Sequence, residues 1–319
     1  PRHLLQDAFS AGDMKTFANL PNWNKTFVGA GPYRVVDWEG GNRMELEAFN
    51  DFALGRPKID RITVKFVDDS NTNLAAVLAG EVDFCMRSTI SFDGAQILRE
   101  QWEKQGKGKV FISPASWSWL SLSRDNPWFG DLRVRRALMH AIDREAMIKS
   151  IFKGENLISH FSMSRIRKSY KKALAAATIY KYDPARAQKL LADAGWKPGP
   201  DGVLVNDKGE KFEFEFRVQA GRREHEQAQA VIGDYWKKIG VRPVIKNLPT
   251  RLLNSAESRT RWPGAYIGTH NVTVEEWAER FHSKNIPTAE NKYAVENVSG
   301  WNDPKKDAIL DELNEIITP

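Results

Sequence analysis

Six histidines are the side chains of this sequence that are best suited to acid–base chemistry or metal binding. No two of them have the spacing that places a metal pair on one face of a helix, and no H-E-x-x-H motif occurs. His140 falls within an amphipathic helical pattern, where a packed and hydrogen-bonded imidazole is expected. His225 stands between two glutamates near the start of a helix, and we expect it to be solvated rather than to act as a base. The sequence therefore predicts no metal site.

Motifs for a nucleophile or for phosphate binding are also missing from the sequence. There is no G-x-S-x-G turn for an activated serine and no G-x-x-x-x-G-K-[ST] loop. The acid pairs Asp68-Asp69 and Glu275-Glu276 have no partner at a spacing that would define a glycosidase dyad. Cys85 is the only cysteine, which excludes an internal disulfide and a multi-cysteine metal site. These observations predict neither catalysis nor a cofactor, and an α/β hydrolase-like enzyme with unrecognised catalytic residues is kept as an alternative.

The stretch VGAGPYRVVDW, residues 28–38, begins like a glycine loop that cradles phosphate. A dinucleotide fingerprint needs a third glycine where this sequence has Arg34, and it needs a helix next. Instead, β-branched and aromatic residues follow Pro32, and a two-glycine turn at 39–42 separates them from a second alternating run at 43–48. The glycines therefore predict the entry to a β-hairpin rather than a nucleotide site.

Composition is that of an ordinary globular protein. Hydrophobic residues make up 41% and charged residues 28% of the 319 residues, and the net charge is +6. No apolar run approaches the roughly 18 residues of a membrane-spanning helix. The basic cluster at residues 165–172 keeps a nucleic-acid-binding protein as a second alternative, but we expect a solvated loop there and no nucleic-acid partner. Because the chain begins at Pro1 without a leader and stops just behind a helical pattern, we expect an internal piece of a longer protein.

Alternating hydrophobic residues predict mainly strands in the part of the chain before residue 123. They dominate residues 28–67, and a short helix that ends near Gly80 follows. Residues 82–86 have the pattern of a buried strand. Cys85, which lies in this strand, is therefore expected to be a small core residue.

Helical patterns dominate after residue 123. Aspartates that can cap a helix precede several of them, namely Asp131, Asp143, Asp183 and Asp303. A long amphipathic helix ends at Gly240, and strands are expected at 212–216 before it and at 241–245 after it. The pattern predicts an α/β chain that divides into residues 1–122 and residues 123–319.

Aromatic residues are the remaining functional signal. Trp117 and Trp119 precede the predicted boundary, while Trp262, Trp277 and Trp301 stand in polar, turn-rich segments of the second half. Ligand clefts favour domain boundaries and use large flat side chains with a few fixed polar groups. Any single tryptophan is more often buried in a core, but the set is typical of a binding cleft.

Five stretches of the sequence together resemble the extracellular solute-binding proteins of family 5, the group that serves ABC importers of dipeptides, oligopeptides and nickel. They occur in the family's order, and they are VGAGPYRVVDWEGGNRMELEAFNDFALGRPKIDRITVKFV, NTNLAAVLAGEVDF, DLRVRRALMHAIDREAMIKSIFKG, YDPARAQKLLADAGW and YWKKIGVRPV. A weaker likeness, NVSGWNDPKKDAILDEL, lies near the end of the chain. The resemblance covers most of residues 28–245.

This resemblance implies an α/β fold of the type II periplasmic-binding-protein kind, with two lobes, mixed sheets and flanking helices, incomplete at both ends. Residues 1–122 would be part of the first lobe and residues 123–319 most of the second. Such a protein is not an enzyme, because it captures a peptide or similar small solute between its lobes and delivers it to membrane permease subunits. The family also implies a monomer that is periplasmic or extracellular, with a lipid anchor as one mode of attachment.

The family's ligand contacts transfer to this sequence only in part. Peptide-binding members hold the ligand's amine with an aspartate, but the nearest segment here, residues 264–271, has no acid that would balance a buried ammonium. The loop at residues 219–223 offers Arg222 where relatives meet a carboxylate. A peptide, a nickel complex and a sugar derivative all stay open as solutes. The predicted ligand-binding residues are Trp117, Trp119, Gln219, Arg222, His270, Trp277 and Trp301.

Overall fold

The computed structural model describes residues 2–13, 16–17, 19–23, 26–86, 89–112, 117–163, 165, 167–253, 255–270 and 276–317. The chain forms two compact units, Pro1–Asn73 and Leu74–Pro319. Within the described ranges, no helix is long and apolar enough to cross a membrane. The lobe boundary expected near residue 123 stays a prediction.

The first unit is built around a three-stranded antiparallel sheet. Its strands are, in spatial order, β1 (Tyr33–Glu39), β2 (Arg43–Ala48) and β3 (Arg61–Lys65), and helix α1 (Arg2–Ser10) precedes them. The turn between β1 and β2 contains Gly41 at a φ of +80°, a left-handed conformation that favours glycine. The predicted hairpin is confirmed, and the glycine-rich stretch leads into a strand.

A four-stranded mixed sheet organises the second unit. Its strands are, in spatial order, β4 (Trp117–Leu122), β9 (Ala265–His270), β7 (Glu213–Gln219) and β8 (Arg242–Leu248), while β5 (Lys197–Pro198) and β6 (Leu204–Val205) form a separate pair. β7 is parallel to both β8 and β9, whereas β4 is antiparallel to β9. The strands predicted around 212–216 and 241–245 are confirmed as β7 and β8.

One face of this mixed sheet packs against helices and forms the core. Phe212, Phe214 and Phe216 are at most 4% exposed and alternate with polar residues at and just before β7. From helix α8 (Arg223–Lys238), the fully buried Trp236 packs against Phe214 and Phe216, and its indole N–H donates to the carbonyl of Leu138 at 3.1 Å. Burying each such aromatic side chain stabilises the fold by about 2 to 3 kcal/mol. The apolar faces predicted for both elements are therefore confirmed.

Capping aspartates begin several helices, as predicted. These helices are α4 (Leu132–His140), α5 (Arg144–Phe152) and α7 (Pro184–Asp193). Their N-caps, Asp131, Asp143 and Asp183, each accept a backbone N–H bond at 2.8 to 2.9 Å from the first turn. His140, at the end of α4, is buried with Nδ1 2.7 Å from the carbonyl of Lys181, so it is the packed, hydrogen-bonded residue that the pattern predicted.

Residues 82–86 are not a strand, and the prediction there is wrong. They form a loop after helix α2 (Ser70–Ala79), in which Phe84 is 80% exposed, Met86 is 67% exposed and Cys85 is half-buried. None of the sheets in the described part of the chain includes this segment. An alternating run forms a strand only where a neighbouring strand accepts its backbone hydrogen bonds, and that partner is not supplied here.

The basic cluster at residues 165–172 is only partly the solvated loop that we expected. Helix α6 (Tyr170–Ala176) begins inside it, and the buried Tyr170 stacks on Phe161 with ring centroids 4.9 Å apart. The tyrosine anchors this segment to the rest of the second unit, while Lys171 and Lys172 are exposed.

The remaining helices of the described residues are α3 (Phe92–Leu98), which continues as a π-helical turn at Arg99–Glu103, α9 (Ala256–Thr260), α10 (Trp277–Phe281) and α11 (Pro304–Ile317). The last of these confirms the helix predicted to begin at Asp303-Pro304, and the Asp303 carboxylate accepts the amide of Lys305 at 3.0 Å.

Candidate ligand-binding site

The carboxyl ends of three parallel strands meet at one edge of the mixed sheet, which we call the carboxyl edge. β7, β8 and β9 end there at Gln219, Leu248 and His270, and the antiparallel β4 begins there at Trp117. Helix α8 starts at the same edge because it follows β7 directly. Ligands of open α/β sheets bind outside the carboxyl ends of the strands, where loops and helix N-termini converge.

Polar contacts hold the loop between β7 and α8. Gln219 Nε2 donates to Thr250 Oγ1 at 3.0 Å, and the amide of Gly221 donates to Glu226 Oε1 at 3.1 Å. Gly221 has a φ of +81°, which lets the chain turn directly into the helix. These contacts fix the position of the next residue, Arg222, at the start of α8.

Arg222 places a positive charge at the carboxyl edge. The adjacent Arg223 lies 3.5 Å from Asp93, and Glu224 accepts a hydrogen bond from the amide of Phe92 at 2.5 Å. Arg222 itself is exposed and has no ion-pair partner within the described residues. The acids at the start of α8 are thus already engaged, so the Arg222 guanidinium is available to a carboxylate or another anion.

His225 connects α8 to β9 and β4 through hydroxyl groups. Its Nε2 lies 2.7 Å from Thr269 Oγ1, which lies 3.4 Å from Ser118 Oγ. Burial, and then the positive charge of Arg222, lowers the pKa of His225 from 6.5 to about 4, so its imidazole is neutral at neutral pH. The expectation of a solvated His225 is therefore wrong, because the imidazole is half-buried and bonded to the sheet.

An aromatic cluster of Trp119, Trp262 and Tyr266 lies behind the edge, with ring centroids 5.2 to 6.2 Å apart. Strand alternation places Tyr266 on the face of β9 opposite to the core. Gly268 is paired with Trp119, and a Cβ on it would lie 2.5 Å from Trp119 Cζ2, so the ring can lie flat only against glycine. Burial raises the pKa of Tyr266, and the charge of Arg222 opposes that rise, which links the cluster electrostatically to the edge.

Trp262 provides a hydrogen-bond donor inside this aromatic cluster. The residue is 4% exposed, and its Nε1 is buried with no hydrogen-bond partner among the described residues. Leaving a buried N–H unpaired costs about 1 to 3 kcal/mol. A ligand atom that accepts this hydrogen bond would recover that free energy.

The structure brings several predicted site residues together. Gln219 and Arg222 lie at the carboxyl edge, and Trp119 lies in the aromatic cluster behind it. Trp117 and His270 pair with each other across β4 and β9 at the same edge. The side chains of these last two residues lie outside the described part of the structure.

Trp277 and Trp301 make other contacts. Trp277 Nε1 donates to the carbonyl of Ser162 at 3.2 Å, and the Nζ of Lys306 lies 4.9 Å from the ring centre of Trp301. No contact recorded among the described residues joins either tryptophan to the carboxyl edge. Their role as ligand contacts stays a prediction.

The sequence did not identify His225, Thr269 and Tyr266 as members of the site, because β9 was not predicted as a strand. The signal for that strand was the alternation of Ala265 and Ile267, both of which are buried in the core. Once β9 is in place, Thr269 falls on the core side of the strand and reaches His225, while Tyr266 falls on the opposite side.

Recognition is the chemistry that these groups can perform. No cluster of three or more His, Cys, Asp or Glu side chains that could hold a metal occurs in the part of the chain that the structure describes. The guanidinium, the neutral imidazole and the hydroxyl groups can orient a polar ligand. The aromatic rings can cover its apolar part.

Comparison with known proteins identifies related chains. The model of the family described as "Bacterial extracellular solute-binding proteins, family 5 Middle" matches residues 5–287. The oligopeptide-binding protein AppA of Bacillus subtilis is 28% identical over 290 residues, which cover 90% of this chain and 51% of that protein. The chain thus spans about half the length of this relative.

Solved structures share the fold of this chain. The oligopeptide-binding protein from Thermus thermophilus, complexed with a pentapeptide, aligns with a TM-score of 0.80 at 23% identity, covering 98% of this chain and 60% of that chain. NikZ from Campylobacter jejuni, in complex with Ni(L-His), aligns with a TM-score of 0.78 at 23% identity, covering 98% of this chain and 59% of that chain. The predicted α/β fold of the type II periplasmic-binding-protein kind is confirmed.

Proposed function

We propose, because the chain belongs to the bacterial extracellular solute-binding proteins of family 5, that it is the substrate-binding component of an ABC importer. It captures a peptide or a similar small solute and delivers it to permease subunits in the membrane. The similarity to an oligopeptide-binding protein supports a peptide as the solute. The family is extracellular by description, which supports a periplasmic or extracellular location for this protein.

The guanidinium of Arg222, which has no ion-pair partner among the described residues, is the observation that carries the proposal for the ligand. It stands at the carboxyl edge beside the neutral imidazole of His225, with the ring of Tyr266 close enough to sense its charge. A carboxylate would be held by the planar guanidinium with two parallel hydrogen bonds. The ligand is therefore a solute with a carboxylate, and a peptide's C-terminus is the natural candidate.

Among the described residues, the amine end of a peptide finds no comparable partner at the carboxyl edge. Glu224 is bonded to the amide of Phe92, while Glu226 is bonded to the amide of Gly221 and lies 3.3 Å from Asn247 Nδ2. A buried ammonium without a counter-charge is costly. We therefore propose that this protein recognises its ligand mainly through the carboxylate and an apolar portion, and that a free amine contributes little.

The proposed division into lobes rests on the family resemblance. Residues 1–122 are proposed as part of the first lobe, and residues 123–319 as most of the second. Trp277 and Trp301 are retained as proposed ligand contacts because large flat aromatic side chains are typical of binding clefts.

Native mass spectrometry of the protein purified without refolding is the first test. A co-purified set of masses that match short peptides is the expected result. Calorimetric titration then compares a tripeptide with its C-terminal amide and its N-acetyl form. We expect the amide to bind at least about tenfold more weakly and the N-acetyl form to bind about as well as the parent, since one charge-assisted contact is worth roughly 1.4 kcal/mol or more.

Arg222→Gln and Arg223→Gln form a matched pair for the same titration. Both remove one positive charge from the same loop, but Arg223 is already paired with Asp93. We expect Arg222→Gln to weaken tripeptide binding at least about tenfold and Arg223→Gln to have little effect. Equal losses in the two variants, or a larger loss on N-acetylation than on amidation, would overturn the proposed carboxylate contact. Hydrolysis of the bound peptide would overturn the proposed binding function.

A further inference from the structure

A cavity of about 340 Å³ lies among the helices of the unit Leu74–Pro319. Helix α5, helix α6 and the segment that connects them form its walls. Its polar lining includes Glu145, His160 and Arg165, and its apolar lining includes Ile148, Leu157 and Leu174. This volume falls within the range of about 300 to 1,000 Å³ that is usual for small-molecule sites.

This helical cavity is separate from the carboxyl edge. Phe152, at the end of α5, contacts Phe92 with ring centroids 5.5 Å apart, and the amide of Phe92 is hydrogen-bonded to Glu224 at that edge. Glu145 lies in the first turn of α5, which places it about 10 Å from Phe152 along the helix axis. The two sites therefore have no lining residue in common.

His160 lines the helical cavity and has a polar atom that lacks a hydrogen-bond partner among the described residues. Its Nδ1 is buried and has no hydrogen-bond partner among the residues that the structure describes. Burial, and then the charges of Arg144 and Arg165, lowers the pKa of His160 below 6.5, so the imidazole is neutral at neutral pH. A neutral imidazole nitrogen either donates or accepts one hydrogen bond, depending on its tautomer.

Charged groups of opposite sign line the same cavity. The Cζ of Arg165 lies 5.7 Å from the centre of the Tyr170 ring, and Tyr170 is itself stacked on Phe161. This arrangement holds the guanidinium at the cavity, and among the described residues its N–H groups make one long hydrogen bond of 3.5 Å, to the carbonyl of Ile158. Within the described ranges, Glu145 has no ion-pair partner. The cavity thus offers a cation, an anion and an apolar wall to one small molecule.

We propose that the helical cavity binds a free amino acid with an apolar side chain. Arg165 pairs with its carboxylate, Glu145 pairs with its ammonium, and His160 Nδ1 completes the hydrogen bonding. Ile148, Leu157 and Leu174 surround the side chain. A zwitterion fits these walls because its carboxylate and its ammonium each meet a side chain of opposite charge, Arg165 and Glu145.

Calorimetric titration of the whole protein with L-leucine tests the proposal. We expect one leucine per chain, and at least about tenfold weaker binding of 4-methylpentanoate, which lacks the ammonium, of isoamylamine, which lacks the carboxylate, and of glycine, which lacks the side chain. Arg165→Gln and Glu145→Gln should each weaken leucine binding at least about tenfold. Lys168→Gln, an exposed residue of the same basic cluster outside the cavity lining, and Arg222→Gln at the carboxyl edge should leave it unchanged.

The imidazole signals of His160 in the NMR spectrum provide a second readout. This measurement uses the parent protein and requires no variant. We expect leucine to shift the His160 signals and to leave those of His225 in place. Absence of leucine binding up to about 10 mM, binding that survives both Arg165→Gln and Glu145→Gln, or binding that is lost in Arg222→Gln would each overturn the proposal. The last result would assign leucine to the carboxyl edge instead.

Discussion

The half-buried, neutral His225 makes the stability of the second unit depend on pH in a direction that can be worked out. Its pKa is lowered from 6.5 to about 4 in the folded state, so between these pH values the unfolded chain binds a proton that the folded chain does not. Stability therefore rises with pH across this window and is lost as the pH falls from about 6.5 to about 4. The perturbation that isolates this contribution is His225→Gln, which removes the titrating group and keeps a side chain able to bond Thr269.

The size of the effect follows from the same pKa. A depression from 6.5 to about 4 corresponds to about 3 kcal/mol at complete protonation, of which about 2.5 kcal/mol has been lost by about pH 4.5. All other titratable groups are present in both proteins, so their contributions to the pH dependence of stability cancel when the two proteins are compared. Between about pH 7.5 and about pH 4.5, His225→Gln should thus lose about 2.5 kcal/mol less stability than the parent.

Hydrogen exchange of the β7 and β8 amides in rising urea is the suitable assay, because the chain has two compact units and these strands report on the second alone. The NMR titration of His225 tests whether its lowered pKa is the cause of this pH dependence. Arg222→Gln should raise the pKa of His225 but keep it below 6.5, because burial is the larger cause and the charge of Arg222 the smaller. Parallel loss of stability in the parent and in His225→Gln would refute the reasoning, as would a His225 that titrates near 6.5 in the parent.

Two further predictions concern the packing that supports the site. Trp236→Phe removes the indole N–H that donates to the Leu138 carbonyl at 3.1 Å inside the core, and it should destabilise the second unit by about 2 kcal/mol in the same exchange experiment; an unchanged exchange rate would contradict this. Gly268→Ala adds a Cβ that would lie 2.5 Å from the Trp119 ring, so the ring must move, and we expect a changed near-ultraviolet circular dichroism spectrum and a loss of about 1 to 3 kcal/mol. A spectrum identical to that of the parent would show that the ring does not lie against the strand.

Elements with strong local signals were predictable from the sequence. The aspartates at Asp131, Asp143 and Asp183 mark helix starts because a short carboxylate side chain satisfies free N–H groups of the first turn, and each of them makes that bond. The alternating phenylalanines before and in β7 and the apolar stripe of α8 also identified their buried faces correctly. In these cases a few neighbouring residues contain the whole signal.

Elements that depend on distant partners were predicted poorly. Residues 82–86 have the hydrophobic alternation of a strand, but they pair with no strand of the described sheets. Phe84 and Met86 are therefore exposed. β9 shows the opposite case. Its hydrophobic alternation, Ala265 and Ile267, is weak, but the segment forms a strand because β4 and β7 pair with it on either side. Strand formation is thus decided by neighbours more than by intrinsic preference.

The composition of the carboxyl edge follows from the same dependence on neighbours. Thr269 meets His225 across 44 residues of sequence and Ser118 across 151, and both contacts exist only because β9 is inserted between β4 and β7 in one register. A shift of that register by a single residue would turn Thr269 away from His225 and exchange the faces of Tyr266 and Ile267. The sequence could therefore indicate Arg222, which lies between two elements that are consecutive in the chain, β7 and α8. It could not indicate Thr269, the hydroxyl partner of His225, because that contact joins distant segments. The register of β9 is what brings these residues together in the candidate site.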